Sequence, residues 1–348
     1  MISQDQLNRI GIYEWSELAN KFNDSNLLLG NGFSRKLAPS FKYDSLFEEF
    51  LKKTPANFSV LFKKFYTTNF EQIMQRLSHA MFVNNLFHLD DSKIAETAQI
   101  LKNGLITTIR GIHPSSEDIF WDKLGSLANE ITNFRNIFTI NYDLFLYHIV
   151  MILKDRWDKS GQNNHVASKN KLWRYSDFFY GKYNDEFKTF VPFQDKKQFR
   201  AIYYLHGALF IFRLSNSIDE MKLLRANRSI QLIDLIGNVI EDGIMPVFVC
   251  EGDSSQKLEQ INSSTYLKFA HRNFEKEQEH KFVIYGCSLS EHDNHIVNAL
   301  DKSDNILAIS LHINGKSIET LQRIKLSYDH KFNHARCDFF DSESLFNF

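Results

Sequence analysis

The chain has 348 residues, 43% hydrophobic and 24% charged, the composition of an ordinary globular protein able to bury a substantial core. Its 41 basic and 42 acidic residues leave a net charge of −1, without the basic excess that phosphate-backbone binding uses, so direct nucleic-acid binding is not expected. No apolar run approaches the roughly 20 residues of a spanning helix, and Met1-Ile2-Ser3-Gln4-Asp5-Gln6 lacks signal-peptide character, so no membrane association and a cytoplasmic location are expected.

The first expected strand, Asn26–Gly30, empties into Gly30-Asn31-Gly32-Phe33-Ser34. Two glycines separated by one residue let a backbone come close to a phosphate, because glycine lacks a Cβ and tolerates φ > 0. More than 100 residues then read as helices, at Asp44–Lys53, Phe70–Phe87, Asp91–Gly111 and Glu117–Thr132, and residues 43–133 are expected to form a helical insertion over the sheet. The second strand, Asn136–Asn141, ends in Thr139-Ile140-Asn141-Tyr142-Asp143, and Leu144, Tyr147, His148 and Met151 follow at helical spacing. Residues 154–199 are polar and aromatic, with Trp157, Trp173, Tyr175, Phe178, Phe179 and Tyr180, and are expected as an irregular lid or interaction segment. The remaining strands are Ala201–His206, Met245–Cys250, Lys281–Gly286 and Ile306–Ile313, with Ala335–Phe340 as a further edge strand. Ser290–Asp301 opens like a helix N-terminus.

These runs are mostly continuous rather than alternating, as in strands covered on both faces. Alternation with helices predicts a single α/β domain over 1–348, with a Rossmann-like, doubly wound, mostly parallel six-stranded sheet and the helical insertion after its first strand.

In such a sheet ligands bind beyond the carboxyl ends of the strands, where four strand ends carry small or polar groups. The first loop offers backbone N–H groups and the Ser34 hydroxyl to a pyrophosphate. Asn141 can donate and accept hydrogen bonds, which suits a ribose or a positioned water. Asp143 suits a helix cap as well as a ligand contact. His206 places an imidazole beside Gly207, with a reference pKa near 6.5 suited to a general base. Gly286-Cys287-Ser288 adds a further small-residue turn.

Taken in order, Gly30-x-Gly32-x-Ser34, Thr139-x-Asn141-x-Asp143, His206-Gly207 and Gly286-x-Ser288 resemble the sirtuin NAD-binding signature. The likeness is nearest to the bacterial sirtuin-like branch whose members hydrolyse NAD as anti-phage effectors. The resemblance implies a catalytic pair, Asn141 and His206, with NAD as substrate. It also implies that Gly30, Asn31, Gly32, Phe33, Ser34, Thr139, Asp143, Gly207, Gly286 and Ser288 hold the dinucleotide. Cys250, Cys287 and Cys337 are too dispersed to build the four-cysteine zinc module of protein-deacylating sirtuins, and Arg35-Lys36-Leu37-Ala38-Pro39-Ser40 stands where those enzymes carry Gly-Ile-Pro-Asp-Phe-Arg. Hydrolysis of NAD is therefore expected rather than deacylation, with no metal.

Three other readings compete: a non-catalytic NAD or ADP-ribose sensor, a sirtuin-type deacylase, and a metal-dependent nuclease around His292, Asp293 and His295. Glu71 and Glu251-Gly252 are weaker cleft candidates. Because unrestrained NAD depletion harms a cell, a homo-oligomer or a separate regulatory subunit is expected as partner.

Overall fold

The computed structural model describes residues 2–39, 43–68, 70–113, 121–159, 175–192, 199–213, 220–224, 231–242, 244, 246–249 and 253–347. Its strands are β1 (Ile12–Tyr13), β2 (Asn26–Leu29), β3 (Ile137–Thr139), β4 (Tyr175–Ser176), β5 (Phe179–Lys182), β6 (Phe187–Phe190) and β7 (Arg200–Tyr204). They continue with β8 (Gly207–Phe212), β9 (Met221–Leu223), β10 (Pro246–Phe248), β11 (Lys281–Tyr285), β12 (Ile306–Leu311) and β13 (Arg336–Asp341).

Eight strands form one parallel sheet in the order β1-β13-β12-β11-β2-β3-β7-β4. The expected six-stranded sheet is thus extended, and Arg336–Asp341 is an inner strand with β1 outside it. The leucines of β2 explain its central place: Leu27, Leu28 and Leu29 are all fully buried, with β11 on one side and β3 on the other. From β2 the chain moves outward through β3 to β7, then returns to β11 and moves the opposite way through β12 to β13. Right-handed crossovers running in opposite directions put their helices on opposite faces, which is why β2, β3, β7, β11 and β12 are buried along almost their whole length.

The expected fourth strand lies elsewhere. Pro246–Phe248 belongs to a second, antiparallel sheet of order β10-β8-β9-β6-β5. Its proline, which has no N–H to give, sits on that sheet's edge, as a ladder requires. The segment expected as irregular supplies this sheet with β5 and β6 and the parallel sheet with β4; Trp173 lies outside the described residues.

The helical insertion is present as helices at Tyr43–Lys53, Ala56–Lys64, Phe70–Leu86, Ser92–Ile112 and Trp121–Ile131. Phe50, Phe58, Phe62 and Phe70 pack edge to face or tilted at centroid separations of 5.0–6.0 Å within it, continuous with the core that the sheets bury. Ile109, on its longest helix, reaches the carboxyl edge of the parallel sheet.

A buried charge cluster ties the two sheets together. Asp177, between β4 and β5, meets the Lys222 ammonium of β9, and Lys154 approaches it at 3.3 Å. Burial opposes the Asp177 charge, but the Lys154 and Lys222 ammoniums outweigh it and hold the carboxyl well below the usual carboxylate range. Asp177→Ala leaves the buried Lys222 without its counter-charge and is expected to cost about 3–5 kcal/mol, read from urea unfolding near neutral pH. Because this carboxyl is depressed in the folded state, its contribution is complete well above pH 4 and fades as pH falls below the unfolded value of about 3.9, so wild type and variant converge in acid.

Candidate functional site

The carboxyl ends of β2, β3, β7, β11 and β12 open onto a cleft of about 690 Å³. It lies where the strand order reverses, between β2 and β11. Of the residues expected there from sequence, Asn31, Gly32, Asn141, Asp143, His206, Gly286 and Ser288 line it. Gly30, Phe33, Ser34, Thr139 and Gly207 do not, and each has another task.

The glycines serve backbone-to-backbone contact. A Cβ on Gly32 would lie 2.5 Å from Gly286 Cα, and one on Gly30 would lie 2.6 Å from Cys287 Sγ. Gly30 N–H donates to the Tyr285 carbonyl and Gly32 N–H to the Gly286 carbonyl, both at 2.9 Å. Those two N–H groups are therefore spent inside the protein rather than offered to a phosphate. Gly286 turns at φ +69°, and three residues later Leu289 also takes a left-handed conformation at φ +47°. The bend carries Ser288 out to an exposed position on the cleft rim. Phe33 points the other way, its ring edge-on to Phe346 at 5.5 Å.

Asn141 is held by both hydrogens of its amide. Its Nδ2 donates to the Gly30 carbonyl at 2.8 Å and to Ser34 Oγ at 2.9 Å, while Ser34 Oγ donates to Asp143. Thr139 Oγ1 accepts from the Asn141 backbone N–H at 3.0 Å. Asp143 caps the helix Phe145–Lys159 by accepting from Phe145 N–H at 2.9 Å. With the NH₂ group committed, the carboxamide oxygen is what Asn141 presents, so it acts toward a ligand as an acceptor. Burial raises the Asp143 pKa, opposed by its bonds from Ser34 and Phe145.

His206 stands at the corner between the two sheets. β7 ends at Tyr204 and β8 begins at Gly207, whose φ of +78° swings the chain into the antiparallel sheet. A Cβ there would meet the Val247 carbonyl at 2.0 Å, so Gly207 makes room for β10 rather than for substrate. The His206 ring is buried, and its Nε2 lies 2.9 Å from Nε2 of His295. The His295 Nδ1 in turn lies 3.2 Å from Ser254 Oγ. The rings of His206, His295 and His271 stack at centroid separations of 5.1 and 5.9 Å. Burial, helped by the Lys257 charge and the other two imidazoles, pushes His206 well below the usual histidine range. Burial pushes His295 down to about 3, with Asp293 opposing.

Sequence reasoning passed over His295 as a partner of His206. The set His292, Asp293 and His295 does not converge: Asp293 pairs with the buried Lys257 at 3.1 Å, and His295 faces His206. Among the described residues no group of three or more His, Cys, Asp or Glu is arranged to hold a metal ion. Arg35, Lys36 and Lys316 also line the cleft and were missed. Arg35 and Lys36 directly follow Ser34 in sequence, a readable signal; Lys316 arrives from the loop after β12, with nothing local to mark it. Burial and the nearby Arg35 charge together lower the Lys316 pKa. Cys287 is a buried thiol pushed well above its ordinary pKa, which removes it as a nucleophile. Cys250, Glu251, Gly252 and the Glu71 side chain lie outside the described residues.

The histidine stack makes stability fall in weak acid. The unfolded chain takes up protons near pH 6.5 whereas His295 resists them until about pH 3, so the unfolded state binds more protons in between and stability drops as pH falls. Going from pH 7.5 to pH 5.5 is expected to cost about 1.4 kcal/mol through His295 alone. Urea titrations at the two pH values measure it, and His295→Gln should shrink the difference by about that amount, leaving the part that His206 contributes.

No curated protein matches the chain. Residues 27–346 match the family model described as a domain of unknown function, DUF4917. That span contains every residue lining the cleft, and the chain belongs to the DUF4917 family.

Proposed function

We propose that the protein is an NAD⁺ glycohydrolase that holds NAD⁺ in the cleft and hydrolyses its nicotinamide–ribose bond to nicotinamide and ADP-ribose. The observation that carries this reading is that Asn141 and His206, from the ends of the paired strands β3 and β7, line one cleft. The strand order β7-β3-β2-β11-β12-β13 is that of the Rossmann-like doubly wound fold, whose ligands sit where the order reverses. A volume of about 690 Å³ is in the range of small-molecule sites. Arg35 and Lys316, close enough to repel one another, supply positive charge for a pyrophosphate.

In this reading the Asn141 carboxamide oxygen accepts a hydrogen bond from a ribose hydroxyl or from the attacking water and fixes its position. Nicotinamide departs neutral from an oxocarbenium-like ribosyl centre. His206, uncharged before reaction, takes the proton released as the new C–O bond forms. No step uses a metal. The resemblance to sirtuin-like effectors makes anti-phage NAD depletion in the cytoplasm the fitting role. An assembly that restrains it, as a homo-oligomer or with a regulatory subunit, would have a surface available in the helical insertion, where Phe82, Leu86 and Phe87 are 63–66% exposed.

The second reading is a sensor that binds NAD or ADP-ribose without cleaving it. The observation favouring it is the low accessibility of His206, 3% exposed and already bonded to His295.

Chromatography of NAD⁺ incubated with the purified protein separates the two readings. Free nicotinamide is expected, and Asn141→Ala or His206→Ala should lower its release at least 10²-fold in protein that circular dichroism shows to be folded at the assay temperature. Binding without release establishes the sensor, and wild-type rates in either variant remove the assignment. Arg35→Ala and Lys316→Ala should each weaken NAD⁺ about 10-fold in KM, the order of one charge-assisted hydrogen bond.

A further inference from the structure

The chain of contacts behind His206 has a direction. Nε2 of His206 is committed to His295, so Nδ1 is the ring nitrogen left for the cleft that His206 lines. Ser254 Oγ accepts the backbone N–H of His295 at 2.7 Å and lies 3.2 Å from that residue's Nδ1. Ser254 opens the helix Ser254–Ser263 and is part-exposed. Between one cleft-facing nitrogen and solvent there are thus two imidazoles and one hydroxyl, joined end to end. Each neutral imidazole carries one N–H, and the Nε2···Nε2 contact needs one donor and one acceptor. Two proton arrangements satisfy every contact. In one, Ser254 donates to His295, His295 Nε2–H donates to His206, and His206 carries its proton on Nδ1. In the other, His206 Nε2–H donates to His295, His295 Nδ1–H donates to Ser254, and His206 Nδ1 is bare toward the cleft.

We propose that His295 and Ser254 form a proton exit for His206, passing from the second arrangement to the first as the bond breaks and returning to the second once product has left, when His206 Nδ1 gives its proton to cleft water and Ser254 takes one from solvent. The inference rests on the reading of the cleft as a hydrolase site and adds to it the route of the proton. NAD⁺ and water give nicotinamide, ADP-ribose and one proton. That proton passes from the nucleophilic hydroxyl to His206 Nδ1; the Nε2 proton of His206 moves to His295 Nε2; the Nδ1 proton of His295 moves to Ser254 Oγ; and the Ser254 hydroxyl proton goes to solvent. One proton enters, one leaves, and no ring holds a charge at the end. Burial and the Lys257 ammonium disfavour a lasting imidazolium, and they outweigh the two carboxylates nearby, Asp293 paired with Lys257 and Glu275 3.6 Å from Nδ1 of His271. Ser254 and His295 are positioning residues that touch no substrate.

The experiment combines nicotinamide release with nitrogen NMR of the histidine tautomers in the full chain. Ser254→Ala and His295→Gln are expected to lower kcat about 10²-fold with KM unchanged and to alter the pH profile of kcat. Ser254→Thr, which keeps the hydroxyl, should restore both. Unchanged kcat and pH profile in Ser254→Ala and His295→Gln, beside an inactive Asn141→Ala, overturns the relay and leaves the hydrolase standing. If wild type releases no nicotinamide, the hydrolase reading falls and the NMR arm decides alone. Exchange of His206 and His295 between tautomers, shifted by Ser254→Ala, supports the relay; a single fixed tautomer in both proteins overturns it.

Discussion

The cleft exists because two backbones touch. The first turn of the helix Asn31–Leu37, which follows β2, and the loop after β11 meet at Gly32 and Gly286 with no space for a Cβ between them. Hydrogen bonds from Gly30 and Gly32 to the β11 end fix the approach. Any side chain at those positions would prise the central strands apart at their carboxyl ends, where the site residues sit. The Gly30 carbonyl then orients the Asn141 carboxamide, and Ser34 joins Asn141 to Asp143. One steric constraint between main chains is thereby passed, bond by bond, to a polar atom facing the cleft. Preorganisation of this kind requires no rearrangement when a ligand enters.

Charge is handled in two contrasting ways. The Asp177 carboxylate is kept ionised inside the protein, its burial outweighed by the Lys154 and Lys222 ammoniums beside it. Around His206 burial wins, because the neighbours are imidazoles and an ammonium already satisfied by Asp293. Neutral rings at hydrogen-bond distance can exchange protons without stranding a charge, whereas a fixed ion pair cannot. The same chain thus builds a rigid electrostatic joint between its sheets and, at the corner His206 occupies, a group able to change its proton.

Much of this architecture was legible in the sequence. Leu27-Leu28-Leu29, Phe282-Val283-Ile284 and Leu307-Ala308-Ile309 are unbroken apolar runs, and such runs have one comfortable place, inside a covered parallel sheet. The polar residues at their carboxyl ends were legible for the same reason. Strand membership was not. Pro246–Phe248 has the same local pattern but pairs with β8, because Gly207 turns the chain after β7, and pairing depends on that distant bend. The short strands β1 and β4 carry too few residues for periodicity to register. Within the site, residue type was readable and orientation was not. Nothing in Gly30-Asn31-Gly32 says that its amides turn inward, and nothing around His206 announces a second histidine from a helix that arrives after β11.

The pairing of β2 has a consequence for the making of the protein. Asn26–Leu29 finds β3 beside it once the helical insertion has been completed, but its other neighbour, Lys281–Tyr285, lies near the far end of the chain. A growing polypeptide therefore carries a central strand first unpaired and then half-paired until Lys281–Tyr285 has been made, and contacts so remote in sequence form late and slowly. His295 and the Gly286 loop arrive only after that wait. A polypeptide that stops short of β11 possesses Asn141 and His206 but no cleft, so whatever chemistry occurs there begins only once β11 and the Gly286 loop have been made.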